Sequence, residues 1–284
     1  MTTSIAEADT WCAAYAKAHQ ENFTVISWVL PAELRPHFAS LYSFCRWTDD
    51  LGDEAEGDRV AQLNDWEREL VRSYEGIREQ PLFVALGRTI DQFRIPPEPF
   101  LNLIEANRMD QRITRFATFD DLLGYCRHSA TPVGRMVLHV LGYHDPERHA
   151  LADATCIGLQ LANFWQDVSV DWEKGRVYLP QEDLVRFGIG EEDIAHGRVS
   201  PEFRRLMLFE VERARGFFAT GAKLDALIDR RARADVRLFR LGGEAILNAI
   251  TAARYDVLTS RPRISKPRKA RVALTAGLRM KAGF

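Results

Sequence analysis

Apolar residues recur three and four positions apart along most of this chain, while strand-like alternation is scarce. The dominant period is therefore that of the α-helix. The pattern predicts helices over roughly 6–20, 35–54, 58–79, 82–93, 97–109, 119–130, 132–142, 146–170, 201–229 and 231–259. The connections carry helix-stopping residues, as in Pro96-Pro97-Glu98-Pro99, Gly142 through Pro146, and Gly175 through Pro180. No internal repeat, low-complexity run or long linker interrupts the series. One all-α domain over 1–284 is the expectation, with a basic tail from about residue 261. At 284 residues and 46% hydrophobic content, such a chain can bury a sizeable core without staples.

Several function classes are excluded early. The net charge of -2 gives no case for non-specific nucleic-acid binding. No phosphate-binding glycine loop, HExxH or G-x-S-x-G is present. The four cysteines (Cys12, Cys45, Cys126, Cys156) show no metal-ligand spacing, which points to reduced thiols in a cytoplasmic protein. The N-terminus lacks the apolar core of a signal peptide, and no stretch approaches about 18 uninterrupted apolar residues. After Asp256 there is no acid, only Arg261, Arg263, Lys266, Arg268, Lys269, Arg271, Arg279 and Lys281. Such a tail suits peripheral contact with the inner face of an anionic membrane, or a frayed soluble end.

The chemistry lies in two acidic stripes. In YSFCRWTDDLGDE, positions four apart on a helix differ by about 40°. Asp49, Asp53, Arg46 and Tyr42 then share one narrow face, and Asp50 and Glu54 fall off it. In LQLANFWQDVSVDWEKGRVYLP, Gln160, Asn163, Asp167 and Asp171 fall within about 80° of arc. Apolar residues flank both lines, so the projection points them inward rather than onto a solvated face. Buried carboxylates need compensation, and cations supply it. The donors are carboxylate and amide oxygens, which suit a hard ion such as Mg²⁺.

Mg²⁺ usually takes one or two carboxylates together with water and substrate phosphates. Two separated pairs thus suggest ions bridging the protein to a diphosphate. Arg46 and Arg176 add cationic donors for the same anion, although Arg46 could instead pair with Asp49 or Asp53. A diphosphate gripped in this way leaves readily, and aromatic faces can stabilise the resulting carbocation. Phe23, Phe38, Tyr42, Phe164 and Tyr178 are the aromatic candidates.

These motifs resemble the squalene/phytoene synthase family, from HQENF at His19 to YDVL at Tyr255. The first stripe matches the family's first aspartate-rich motif, with Asp49 and Asp53 in the DxxxD positions. Asn163, Asp167 and Asp171, followed by GRVYLP, match the second. TFDDLLGYCRHSATPVGRM resembles the intervening helix pair, where Val133 and Gly134 would line the hydrocarbon cavity. The resemblance implies the all-α isoprenoid synthase fold and Mg²⁺-dependent chemistry on prenyl diphosphates. It assigns Asp49, Asp53, Asn163, Asp167 and Asp171 to the metal. Tyr42 and the aspartates would be catalytic, and Phe23, Arg46, Val133, Gly134, Gln160, Asn163, Arg176 and Tyr178 would bind substrate.

The departures from that pattern carry information. Members that join two prenyl diphosphates typically have a lysine where this chain has Glu21 in His19-Gln20-Glu21-Asn22-Phe23. They often have arginine at the position of Gln166, and a late tyrosine at that of Gly243. Fewer cations suit a substrate with a single diphosphate. The chain resembles most the branch that hydrates presqualene diphosphate to hydroxysqualene in bacterial hopanoid biosynthesis, with channelling to other squalene-pathway enzymes. Condensation of two farnesyl diphosphates is the alternative, and a non-catalytic assembly-factor relative is the alternative of another class.

Overall fold

In a computed structural model of the chain, residues 3–19 and 30–264 are described, and among them helices are joined by turns. The lone β-bridge among the described residues pairs Arg115 with Val177. The helical expectation is met. The contacts divide the chain into two compact units, Met1–Arg112 with Thr131–His149, and Ile113–Ala130 with Ala150–Phe284. No helix among the described residues is long and apolar enough to cross a membrane.

In the first unit, α1 (Ile5–Ala18) starts at a capping box in which Ser4 and Glu7 satisfy each other's backbone N–H groups. The organising helix is α2 (Arg35–Asp53), which packs on α1, α3 (Arg59–Tyr74), α4 (Pro81–Phe93), α5 (Glu98–Met109) and α7 (Thr131–Val140). Phe38, Phe44, Leu63, Trp66, Phe83, Phe100 and Met136 form its buried core. Each such side chain taken out of water contributes about 1.5–3 kcal/mol. Phe38, an aromatic candidate for the site, is 2% exposed and belongs to this core. Helix α3 stops short of residue 79 because Gly76 takes φ +88° and turns the chain.

The second unit holds α6 (Phe119–Ser129), most of α8 (Pro146–Gln166), α9 (Val168–Glu173), α10 (Gln181–Phe187), α11 (Glu191–Ala195), α12 (Pro201–Gly221) and α13 (Arg230–Ala252). A 3₁₀ turn, Ala222–Ala226, follows α12. The predicted helix over 146–170 is broken at Asp167. Helices α10 and α11 are too short to show a period and were not expected. Phe218, 1% exposed, wedges against Gly158 and Gly243. A Cβ at 243 would lie 2.4 Å from the Phe218 ring and 2.8 Å from Leu159. The space that a side chain at 243 would need is therefore filled by Phe218 and Leu159.

Candidate active site

The first stripe lies on the last turns of α2. Asp49 is reached by solvent yet hemmed in by protein, and Asp53 is exposed. Loss of hydration pushes the Asp49 carboxyl up to about 7. The hydrogen bond donated by Asn107 opposes that rise, and so does Arg46, while Asp53 and Asp110 add to it. Asn107, on α5, reaches Asp49 Oδ1 at 3.2 Å and its own Leu103 carbonyl at 3.1 Å. This approach depends on Gly52, since a Cβ there would lie 2.1 Å from Asn107 Oδ1. Gln111 fastens the same contact by donating to the Gly52 carbonyl at 2.9 Å.

Arg46 is the main correction to the projection. Its guanidinium engages the two acids set aside there, Asp50 at 2.6 Å and Glu54 at 2.9 Å. A long side chain can leave the stripe on which its Cα sits. Asp50 also accepts from the Tyr15 hydroxyl at 2.6 Å. Tyr42 donates to the His19 carbonyl, tying α2 to the end of α1. Phe23 and Glu21 lie outside the described residues. On α7, Val133 is 39% exposed and Gly134 partly so, an open apolar position on an otherwise packed helix.

The second stripe crosses the α8–α9 break without losing its hydrogen bonds. The Asp167 N–H donates to the Asn163 carbonyl at 2.9 Å, and the Asp171 N–H to the Asp167 carbonyl at 2.8 Å. The three side chains are thus spaced one turn apart. Asn163 is exposed, whereas Gln160, Asp167 and Asp171 are half-buried. Burial, then the charge of Asp167, raises the Asp171 carboxyl to about 7 against Lys174, Arg176 and Arg261. Helix α9 closes in a Schellman turn: Gly175 takes φ +75°, and the Arg176 N–H donates to the Asp171 carbonyl at 2.9 Å. That turn fixes Arg176 beside the stripe. Asp167 accepts Arg261 on both oxygens, with Nη2 at 2.8 Å.

Beyond Gly175 the chain is strapped down. The Val177 N–H donates to the Thr114 carbonyl at 2.9 Å, and Arg115 reaches the Gly175 carbonyl at 2.6 Å. Tyr178 is thereby laid on Phe164 with ring centroids 3.8 Å apart and planes within 8°. Tyr125 and Phe116 complete a buried aromatic group, at 6.0 Å and 5.8 Å from the Tyr178 ring. Electron-rich ring faces of this kind attract a passing cation.

Two of the expected site aspartates therefore carry pKa values near 7, each raised by lost hydration and by neighbouring carboxylates. A divalent cation beside either carboxylate would offset the repulsion from its neighbours, so each stripe, taken by itself, fits one. Among the described residues no three His, Cys, Asp or Glu side chains converge to hold an ion unaided. An ion here would complete its shell with water and substrate oxygens, as Mg²⁺ does. Sequence reasoning missed Asn107, Asp110, Gln111, Tyr125 and Arg261. The polar residues at 107, 110 and 111, in the last turn of α5 and just beyond it, are the available signal for the first three. Arg261 carries no sequence signal beyond its place at the start of the basic tail, whose residues from 265 onward lie outside the described ones.

The chain is similar to several known proteins. The family model for squalene/phytoene synthase matches residues 16–268. The 15-cis-phytoene synthase of Synechococcus elongatus is 32% identical over 282 residues, spanning 94% of this chain and 91% of that protein. The solved squalene synthase HpnC from Alicyclobacillus acidocaldarius is 47% identical, with a TM-score of 0.86, covering 89% of this chain and 96% of that one. A dehydrosqualene synthase solved with ligand is 24% identical, with a TM-score of 0.90 and 98% coverage of both chains. At that identity the likeness shows the fold.

Proposed function

The chain belongs to the squalene/phytoene synthase family, an enzyme family acting on prenyl diphosphates, and from that premise we propose that it is a hydroxysqualene synthase. Its substrates would be presqualene diphosphate and water, and its products hydroxysqualene and inorganic diphosphate. The observation that carries this reading is Gln166. Where condensing relatives often have arginine, this side chain is 4% exposed and donates to the Pro262 carbonyl at 2.5 Å. It brings no positive charge to a second diphosphate. The likeness to squalene synthase HpnC supports the same branch.

Asp49, Asp53, Asn163, Asp167 and Asp171 would hold Mg²⁺, with Asn107 orienting Asp49. Bound Mg²⁺ would neutralise the diphosphate and so improve it as a leaving group. Arg176, fixed by the α9 cap, supplies a further positive charge to the departing anion. The C–O bond breaks with its electron pair on diphosphate, leaving a cyclopropylcarbinyl cation. The faces of Phe164, Tyr178, Tyr125 and Phe116 shelter that cation while it rearranges. Water then adds to the linear cation and gives up a proton, forming the alcohol. No reductant enters the balance.

A second reading has an observation of its own. The phytoene synthases at 32–34% identity favour condensation of two prenyl diphosphates. Supplying purified protein and Mg²⁺ with presqualene diphosphate, farnesyl diphosphate or the longer geranylgeranyl diphosphate separates the two. The hydroxysqualene reading expects a C30 alcohol from presqualene diphosphate and none from farnesyl diphosphate. A C30 product from farnesyl diphosphate alone, or a condensed product from geranylgeranyl diphosphate alone, favours condensation and sinks the first reading.

A further inference from the structure

We propose that residues 256–264 form a latch on the second aspartate stripe, in which Arg261 stands in for a cation at Asp167 and is displaced when one binds. The segment starts at a strained bend. Helix α13 ends at Ala252, and Arg254 and Tyr255 take φ values of 54° and 61°. Consecutive non-glycine residues adopt that left-handed region only where their surroundings hold them. Here Arg204 donates to the Arg254 carbonyl. Asp256 then closes a turn, accepting from the Thr259 N–H at 3.0 Å and hydroxyl at 2.6 Å. Val257 and Leu258 are buried below it.

The far end of the segment lands on the C-terminus of α8. Pro262 is buried, and its carbonyl accepts from Gln166. The guanidinium of Arg261 spans both oxygens of Asp167. Two adjacent side chains of α8–α9 are thus engaged by two adjacent residues of the segment. A guanidinium in this two-pronged pairing satisfies the same oxygens that a metal ion would use. Arg261 and the ion are therefore competitors, and metal loading is coupled to release of the segment.

This inference rests on the metal reading of the site, and the test separates the two. Binding of Mn²⁺ to the full chain is followed by electron paramagnetic resonance without any diphosphate, comparing the parent with Arg261→Gln and Arg261→Lys. Loss of the competitor is expected to tighten Mn²⁺ binding by about fivefold or more in Arg261→Gln. Arg261→Lys keeps the charge but not the fork, and is expected to fall between the other two. Equal or weaker binding by Arg261→Gln overturns the latch. So does tighter binding by Gln with Lys matching the parent, which would reduce the effect to general charge. Failure of every variant to bind Mn²⁺ even with inorganic diphosphate added would remove the metal reading itself, and the latch with it.

Discussion

Asp49 and Asp171 show how single residues tie this site to pH. Both carboxyls stand near 7 in the folded chain, against 3.8 unperturbed. The folded state therefore holds protons that the unfolded state has released, and the two groups favour folding less as pH climbs from about 4 through 7. His139 acts in the opposite sense. Burial, and then His144 and His149, lower it from 6.5 to about 4, so its penalty on folding grows as pH falls below 6.5. Above 6.5 the carboxylates act without that opposition. In EDTA the melting temperature is expected to fall between pH 6.5 and 8, and Mg²⁺ to restore it. Asp49→Asn should remove part of that fall and raise metal-free stability at pH 8 by about 1 kcal/mol, while abolishing turnover. A flat melting profile that ignores Mg²⁺ would contradict this account. The carboxylates themselves were legible from four-residue spacing. Asn107 and Arg261 were not, because each reaches its aspartate from more than 50 positions away, and spacing reports only local neighbours.

Elements place these residues through a few close approaches. Gly52 lets α5 come near enough for Asn107 to meet Asp49. Gly52→Ala is expected to cost about 1–3 kcal/mol in urea unfolding and to lower kcat. Gly216, exposed on α12 with nothing near its absent Cβ, makes the contrast: Gly216→Ala should stabilise by about 0.5–1 kcal/mol with activity kept. If both changes had the same sign, close packing at Gly52 would not be the reason for its glycine. The Phe164–Tyr178 stack depends on the strap after Gly175. Tyr178→Leu is expected to cost about 1 kcal/mol of stacking and to yield alcohols trapped before rearrangement, read by mass spectrometry. The long amphipathic helices were visible as periods. The break at Asp167 was not, since the backbone ladder through Asn163, Asp167 and Asp171 continues across it. The predicted helix to 259 failed because two left-handed residues, Arg254 and Tyr255, turn the chain where apolar spacing continues at Val257 and Leu258.

At the scale of the molecule, the all-helical class and the family follow from the spacing of the apolar residues and from the motifs. The proposed substrate rests instead on where positive charge is withheld. Gln166 is turned into the protein, and Arg46 is held by Asp50 and Glu54. Phe218 and Leu159 fill the space beside Gly243. Each was a letter in the sequence, but what it does depends on partners far along the chain. The central claim is that one diphosphate leaves and water takes its place. It is tested most directly by incubating the purified protein with Mg²⁺ and presqualene diphosphate in ¹⁸O-water, without any nicotinamide, and analysing the C30 fraction by mass spectrometry. The account predicts hydroxysqualene carrying one ¹⁸O atom. A C30 product without the label, or no C30 product at all, would contradict it.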